Sequence, residues 1–234
     1  MRQALITGGA RGIGWGIANA MLEAGYAVTV TGLTPDEIKS VSTREHLKAV
    51  QLDVTNDAQV ASLLTRFDSL DVLVNCAGII MRGAEYEIET FKKVVDVNLT
   101  GTMRMCMAAK PLLAQSTNAA IVNTASMLSF FGAPLAPAYA ASKGGISQLT
   151  KSLAIAWAAE GIRVNAIAPG WISTELTRGL TSDEARSAAI LARTPMKRWG
   201  EPADIGGSIV YLCSDAARFV TGIVLPIDGG YAAM

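Results

Sequence analysis

Residues 4–14 read Ala4-Leu5-Ile6-Thr7-Gly8-Gly9-Ala10-Arg11-Gly12-Ile13-Gly14: a short strand-like run meets a glycine-rich turn, and the turn opens a segment of helical periodicity, residues 14–24. Glycines let the backbone turn sharply and come close to a pyrophosphate, whose negative charge the free amides and dipole of a helix N-terminus favour. Glycine patterns also occur in ordinary strand-to-helix turns. This one follows the first strand and opens the first helix, and it lacks the Lys-Ser/Thr ending of an NTPase phosphate loop.

Outward from the turn, short apolar runs at 4–7, 27–31, 49–52, 72–75, 120–124, 163–168 and 222–226 read as seven strands. Between them, 57–67, 91–113, 138–159 and 203–212 carry apolar residues at helical spacing. Several strands are apolar throughout, as expected when helices cover both faces of a parallel sheet. The expected architecture is α/β: a doubly wound seven-stranded parallel sheet in one domain, 1–234. Residues 33–48 are short and polar, with room for a few helical turns at most. The longer stretch 171–199 follows a strand end, holds a helix-like piece at 182–193, and is a candidate lid over a binding site.

Half of the 234 residues are apolar and 17% are charged, enough to bury one sizeable core. Lys plus Arg and Asp plus Glu balance at 20 each, so no net field attracts polyanions and nucleic-acid binding is disfavoured. No apolar run approaches the ~18 residues of a membrane span, and the N-terminus is unlike a signal-peptide core. Cys76, Cys106 and Cys213 are odd in number and far apart, which suits a reducing cytoplasm. His46, the one histidine, sits in a polar stretch, leaving little material for a metal site or a Ser-His-Asp triad.

A dinucleotide site of the Rossmann type for NAD usually has an acid at the end of the second strand to hold the ribose hydroxyls. Here that end reads Val30-Thr31-Gly32-Leu33-Thr34, and Asp36 and Glu37 follow Pro35 in what reads as a loop or helix start. Arg11 could meet a 2′-phosphate or be a solvated turn residue. The balance leans to NADP over NAD.

Tyr139 and Lys143 are four residues apart and share one face of a helix. A phenol of pKa ~10 is a poor acid-base group near neutrality, and a neighbouring ammonium favours its ionised form. Such pairs arise by chance on exposed helices. This one comes with Ser126 just past the fifth strand, at the carboxyl edge where open parallel sheets bind ligands.

With Thr7-Gly-x-x-x-Gly12-x-Gly14, Asp53-Val54, Asn75-x-Ala77-Gly78, Asn98, Ser126, Tyr139-x-x-x-Lys143, Pro169-Gly170-x-x-x-Thr174 and Asp228-Gly229-Gly230, the chain resembles the short-chain dehydrogenase/reductase family, in its classical form, over essentially its whole length. The resemblance implies hydride transfer at a nicotinamide between a secondary alcohol and a ketone. It makes Tyr139 the general acid or base, Ser126 a hydrogen-bond donor to the carbonyl, and Lys143 the residue that holds the nicotinamide ribose and depresses the tyrosine pKa. Asn98 would bind the water of a proton relay, although from the residues alone it is a polar position inside an ordinary helix. Cofactor contacts would come from Gly8, Arg11, Gly12, Ile13 and Gly14 in the turn, and from Leu33, Asp53 and Val54 on the adenosine side. Asn75, Ala77 and Gly78 follow the fourth strand, and Pro169, Gly170, Ile172 and Thr174 follow the sixth.

Met127, Leu128, Phe131, Pro134, Trp171 and Leu176 are candidates for the walls of a substrate pocket, although core packing would explain several of them as well. They favour a small neutral carbonyl or alcohol with an apolar body, while Arg82, Arg178 and Arg193 leave room for an anion. Two other functions fit the same fold: a dinucleotide-binding regulator without turnover, and an isomerase or dehydratase that keeps its cofactor. The helices at 91–113 and 138–159 carry apolar residues on more than one face, including Met103, Met105, Met107, Ala108, Leu149, Leu153, Ile155 and Trp157. Relatives by resemblance pair these helices across a two-fold axis, so a homotetramer is expected, with a homodimer as the alternative.

Overall fold

In a computed structural model that describes all 234 residues, β1 (Gln3–Thr7) runs into α1 (Gly12–Glu23), followed by β2 (Ala27–Gly32), α2 (Pro35–Lys39), β3 (Leu47–Gln51), α3 (Asp57–Leu64) and β4 (Val72–Asn75). The second part holds α4 (Ile88–Val95), α5 (Gly101–Leu113), β5 (Ala119–Thr124), α6 (Pro137–Trp157), β6 (Ile162–Pro169), α7 (Arg178–Thr181), α8 (Glu184–Arg193), α9 (Pro202–Cys213) and β7 (Val224–Ile227). All seven strands are parallel, in the order β3-β2-β1-β4-β5-β6-β7. Strand order reverses between β1 and β4, which opens a crevice at the carboxyl edge there.

Alternation along the strands builds two cores. Leu5, Leu73, Ile121 and Val164 face α3, α5 and α6. Ala4, Ile6, Val28, Val72, Val74 and Val122 face α1 and α9. Burying each large side chain such as Leu5 or Ile6 contributes about 1.5–3 kcal/mol, so each face of the sheet needs its own cover of helices. No helix is long and apolar enough to cross a membrane.

The single helix expected over 91–113 is broken. A π-helical turn, Asp96–Thr100, separates α4 from α5 and has Asn98 at its centre. One residue too many in the turn changes the backbone pairing locally and re-aims the side chains that follow. The apolar surplus of these helices also goes mostly inward: Met105, Leu153 and Trp157 are buried in the core, and Met103, Ala108 and Leu149 pack against it. Met107 and Ile155 alone among them stay exposed, at 50% and 82%.

Candidate active site

The glycine turn is shaped by what it must pass. Gly8 has φ +63°, and a Cβ there would stand 2.8 Å from the Ala77 Cα in the loop after β4. A Cβ on Gly14 would fall 2.3 Å from the Gly8 carbonyl oxygen. Buried Thr7 ties the two loops together, its hydroxyl accepting from the Cys76 and Ala77 amides at 3.1 and 3.2 Å. At the start of α1 neither a side-chain cap nor a first-turn acid satisfies the leading amides, so this helix end is free to receive an anion. Gly12 faces Thr174 across the cleft, with its Cβ position 3.6 Å from Thr174 Cγ2. These residues fit a dinucleotide pyrophosphate, with Gly12, Ile13 and Gly14 presenting backbone.

At the end of β2 the structure revises the sequence reading. Pro35 starts α2, and the Thr34 side chain caps it by accepting from the Glu37 amide. That short turn folds Glu37 back: its Oε2 accepts from the Leu33 amide at 2.7 Å, and its Oε1 pairs with Arg11 at 3.0 Å. A carboxylate does stand beside Gly32, delivered from five residues downstream. Other expected cofactor contacts are also engaged within the chain. Asp53 Oδ1 accepts from both the amide and the hydroxyl of Thr55, while Val54 and Ile172 are core residues. The Asn75 side chain turns inward to Asn123 and Cys106. The side chains of these last three are spent inside the fold.

Ser126, Tyr139, Lys143 and Asn98 gather at the mouth of β4 and β5. Ser126 heads a 3-10 turn and accepts from the Leu128 amide. Ser129 fastens that turn to α6 by donating to the Lys143 carbonyl at 2.6 Å. The Asn98 amide clasps the Ile79 peptide, accepting from its N–H at 2.8 Å and donating to its carbonyl at 2.9 Å. It also donates to Ser142 Oγ, which in turn donates to the Tyr139 carbonyl. Gly78 lies between them, with its Cβ position 3.2 Å from Asn98 Oδ1 and 3.7 Å from Lys143 Nζ.

Burial pushes the Tyr139 phenol above its ordinary value, against the downward pull of the Ser126 hydroxyl and the Arg82 cation. The expected depression by Lys143 is not found. Its Nζ lies 5.5 Å from the Tyr139 ring centre and donates to the Thr124 carbonyl at 2.6 Å. Burial lowers the Lys143 pKa itself to about 8.

On the substrate side Phe131, Trp171, Trp199 and Tyr231 form an edge-to-face cluster. The Arg193 guanidinium sits 4.3 Å from the Tyr231 ring centre and 5.1 Å from that of Phe131. Leu128 is half-buried, and Pro134 and Leu176 are exposed. Met127 is no pocket wall: it is buried with Ala125, Ile146, Ala166 and Ala168. Of the three arginines, Arg178 pairs with Glu175, Arg193 is stacked, and exposed Arg82 has no ion-pair partner.

Residues 8–232 match the family model described as Enoyl-(Acyl carrier protein) reductase. The chain belongs to the short-chain dehydrogenase/reductase family. It is 40% identical to a 2-dehydro-3-deoxy-D-gluconate 5-dehydrogenase of Pseudoalteromonas atlantica, over 97% of this chain and 94% of the relative. It is 38% identical to the cis-4-hydroxycyclohexanecarboxylate dehydrogenase of Sinomonas cyclohexanicum, over 100% and 97%. The crystal structure of a gluconate 5-dehydrogenase from Burkholderia cenocepacia, in complex with NADP and tartrate, superposes with a TM-score of 0.94 at 34% identity, covering 100% of this chain and 96% of that one. As a short-chain dehydrogenase/reductase, the chain is an NAD(P)-dependent enzyme that interconverts alcohols and ketones. Sequence reasoning passed over Glu85, Ser129 and Ser142, whose partners lie in other elements or at backbone sites that no motif marks.

Proposed function

We propose that the enzyme oxidises the secondary alcohol of a hydroxy acid to the keto acid, and reverses it, with NADP preferred to NAD. The observation that carries the choice of an acid is the exposed Arg82 cation, without an ion-pair partner, in the loop after β4 that the Gly83 N–H joins to the Leu135 carbonyl just ahead of α6. The carboxylates named in the relatives' substrates support it. The neutral, apolar substrate suggested by the pocket composition is given up on this ground.

NADP bound along the carboxyl edge supplies the hydride acceptor. The uncapped start of α1 would hold its pyrophosphate, Arg11 would turn from Glu37 to the 2′-phosphate, and Thr174 and Ile172 would line the nicotinamide end. Ser126 donates a hydrogen bond to the substrate oxygen, and Tyr139 accepts the hydroxyl proton during oxidation or returns it during reduction. Lys143 holds the ribose, while Asn98, its side chain already committed to Ile79, offers its π turn to a relay water. Glu37 keeps the NADP preference modest, because it occupies Arg11 and repels a 2′-phosphate. Residues 171–199, with Thr174 facing Gly12, act as the lid. Exposed Met107 and Ile155 on the outer helix faces, and fully exposed Phe219 near β7, support a homotetramer, and the three free cysteines suit a reducing cytoplasm.

Turnover of hydroxy acids against their neutral amides, each with NADP, tests the substrate class. Acids are expected to be better by about tenfold or more in kcat/KM, worth ~1.4 kcal/mol. Amides used equally well would overturn it. Sedimentation at low micromolar concentration tests the assembly, which a single species near 24.5 kDa would contradict.

A further inference from the structure

Three glutamates stand in a row at alternate positions, Glu85, Glu87 and Glu89, and only Glu85 is buried, at 1% exposure. A buried carboxylate is costly unless its lone pairs are met. Here each oxygen takes one backbone N–H, Oε1 from Met81 at 2.8 Å and Oε2 from Tyr139 at 2.8 Å. The Tyr139 amide belongs to the first turn of α6, where the N-cap residue Ala136 has no side-chain acceptor to give. Glu85 thus caps a 21-residue helix from 54 positions away, with a negative charge at its positive end. Its other oxygen grips the residue next to Arg82. The same two loops are already joined by Gly83 N–H to the Leu135 carbonyl at 2.7 Å and by the Tyr86 hydroxyl to the Pro134 carbonyl at 2.8 Å. Joining them does not require a buried charge.

We propose that Glu85 is a positioning residue of the active site, whose carboxylate sets Tyr139 and the Arg82 turn in one register. The group that moves the proton and the group that anchors the acid are then placed by a single side chain. This rests on the roles given to Tyr139 and Arg82 above. Five groups face the Tyr139 side chain: Ser126 and Arg82 favour its ionisation, Cys76 and Glu85 oppose it, and Lys143 lies over the ring. Removing the Glu85 charge therefore makes the phenol ionise more readily.

The test compares Glu85→Gln, which can accept from only one of the two amides and loses the charge, with Glu85→Asp, which keeps the charge at shorter reach. Each is read for kcat, both KM values, the pH dependence of kcat, NADP affinity and folding by circular dichroism. Glu85→Gln is expected to bind NADP within about twofold of wild type, lose roughly tenfold or more in kcat, and shift the rising limb of alcohol oxidation to lower pH. Glu85→Asp should keep the wild-type limb and recover part of kcat, and in a Tyr139→Phe background Glu85→Gln should cost nothing further. Wild-type kcat and pH limb in Glu85→Gln, a loss of kcat that merely parallels lost NADP affinity with no shift of the limb, or failure of both variants to fold would each overturn the proposal. Full turnover by Tyr139→Phe alone would contradict the Tyr139 assignment, whereas an inert Tyr139→Phe beside an unaffected Glu85→Gln contradicts the coupling.

Discussion

After β1 and β4 the carboxyl edge is made of backbone: Gly8 packs on Ala77, Gly14 on the Gly8 carbonyl, and α1 begins with amides that no side chain caps. After β5, β6 and β7 it is made of side chains: Ser126, Tyr139 and Lys143, with Ser129, Asn98 and Glu85 fastening the turn and helix that carry them, and beyond these the Phe131–Tyr231–Trp171 cluster. The first kind of site is specified locally, because a glycine is needed wherever two chains touch. The second depends on long-range contacts, and there a single removed oxygen has large effects.

Tyr139→Phe should separate the two halves most sharply, lowering kcat by about 10²- to 10⁴-fold while NADP affinity, measured by fluorescence titration, stays nearly intact. Loss of affinity in step with kcat would mean that the halves are not separable. Next in size, Arg82→Ala should raise KM for a hydroxy acid by about tenfold or more and leave KM for NADP unchanged, because the proposed site gives this exposed cation the substrate carboxylate as its partner. Equal KM values for the acid would remove Arg82 from the site.

Much of the first half was legible in the sequence. The turn at 7–14 and all seven strands are patterns of neighbours, and Tyr139 and Lys143 are one helical turn apart whatever surrounds them. What was not legible arrives from a distance or by a break in regularity. Glu37 comes back to the β2 end only because Pro35 and the Thr34 cap start a helix of five residues. Asn98 reads as mid-helix until one extra residue makes the π turn. Lys143 shares a face with Tyr139, as its spacing requires, yet its ammonium bonds the Thr124 carbonyl, a backbone atom with no signature in the sequence. Met127 sits next to Ser126 but points into the core.

On the backbone-built side, Glu37→Gln frees Arg11 and removes a repulsive charge, and should raise the ratio of kcat/KM for NADP over NAD by about three- to tenfold. The estimate is modest because the pair is partly exposed. It is a cleaner probe than Gly32→Asp, whose Cβ would stand 2.9 Å from Glu37 Oε2. An unchanged ratio would leave Glu37 as a loop residue. The smallest effect is on stability. Lys143 has its pKa lowered from 10.5 to about 8, so between those values the unfolded chain holds a proton that the native protein has lost, and stability from this group rises with pH across that window. Below about 8 both states are charged and the slope vanishes. Urea unfolding of wild type and Lys143→Met at several pH values should show that slope as the difference between the two, because the buried Cys106 and Cys213 thiols, pushed up to about 12, give both proteins an opposing slope above about pH 9.

The hydride itself gives the most direct test of the central claim, that the two halves form one alcohol-oxidising site. A hydroxy acid carrying deuterium at its carbinol carbon, turned over with NADP and followed by mass spectrometry, should yield keto acid and singly deuterated reduced nicotinamide in equal amounts. A product at the oxidation level of the substrate, with no label released to the nicotinamide pool, would contradict the account and favour an isomerase or dehydratase on the same fold.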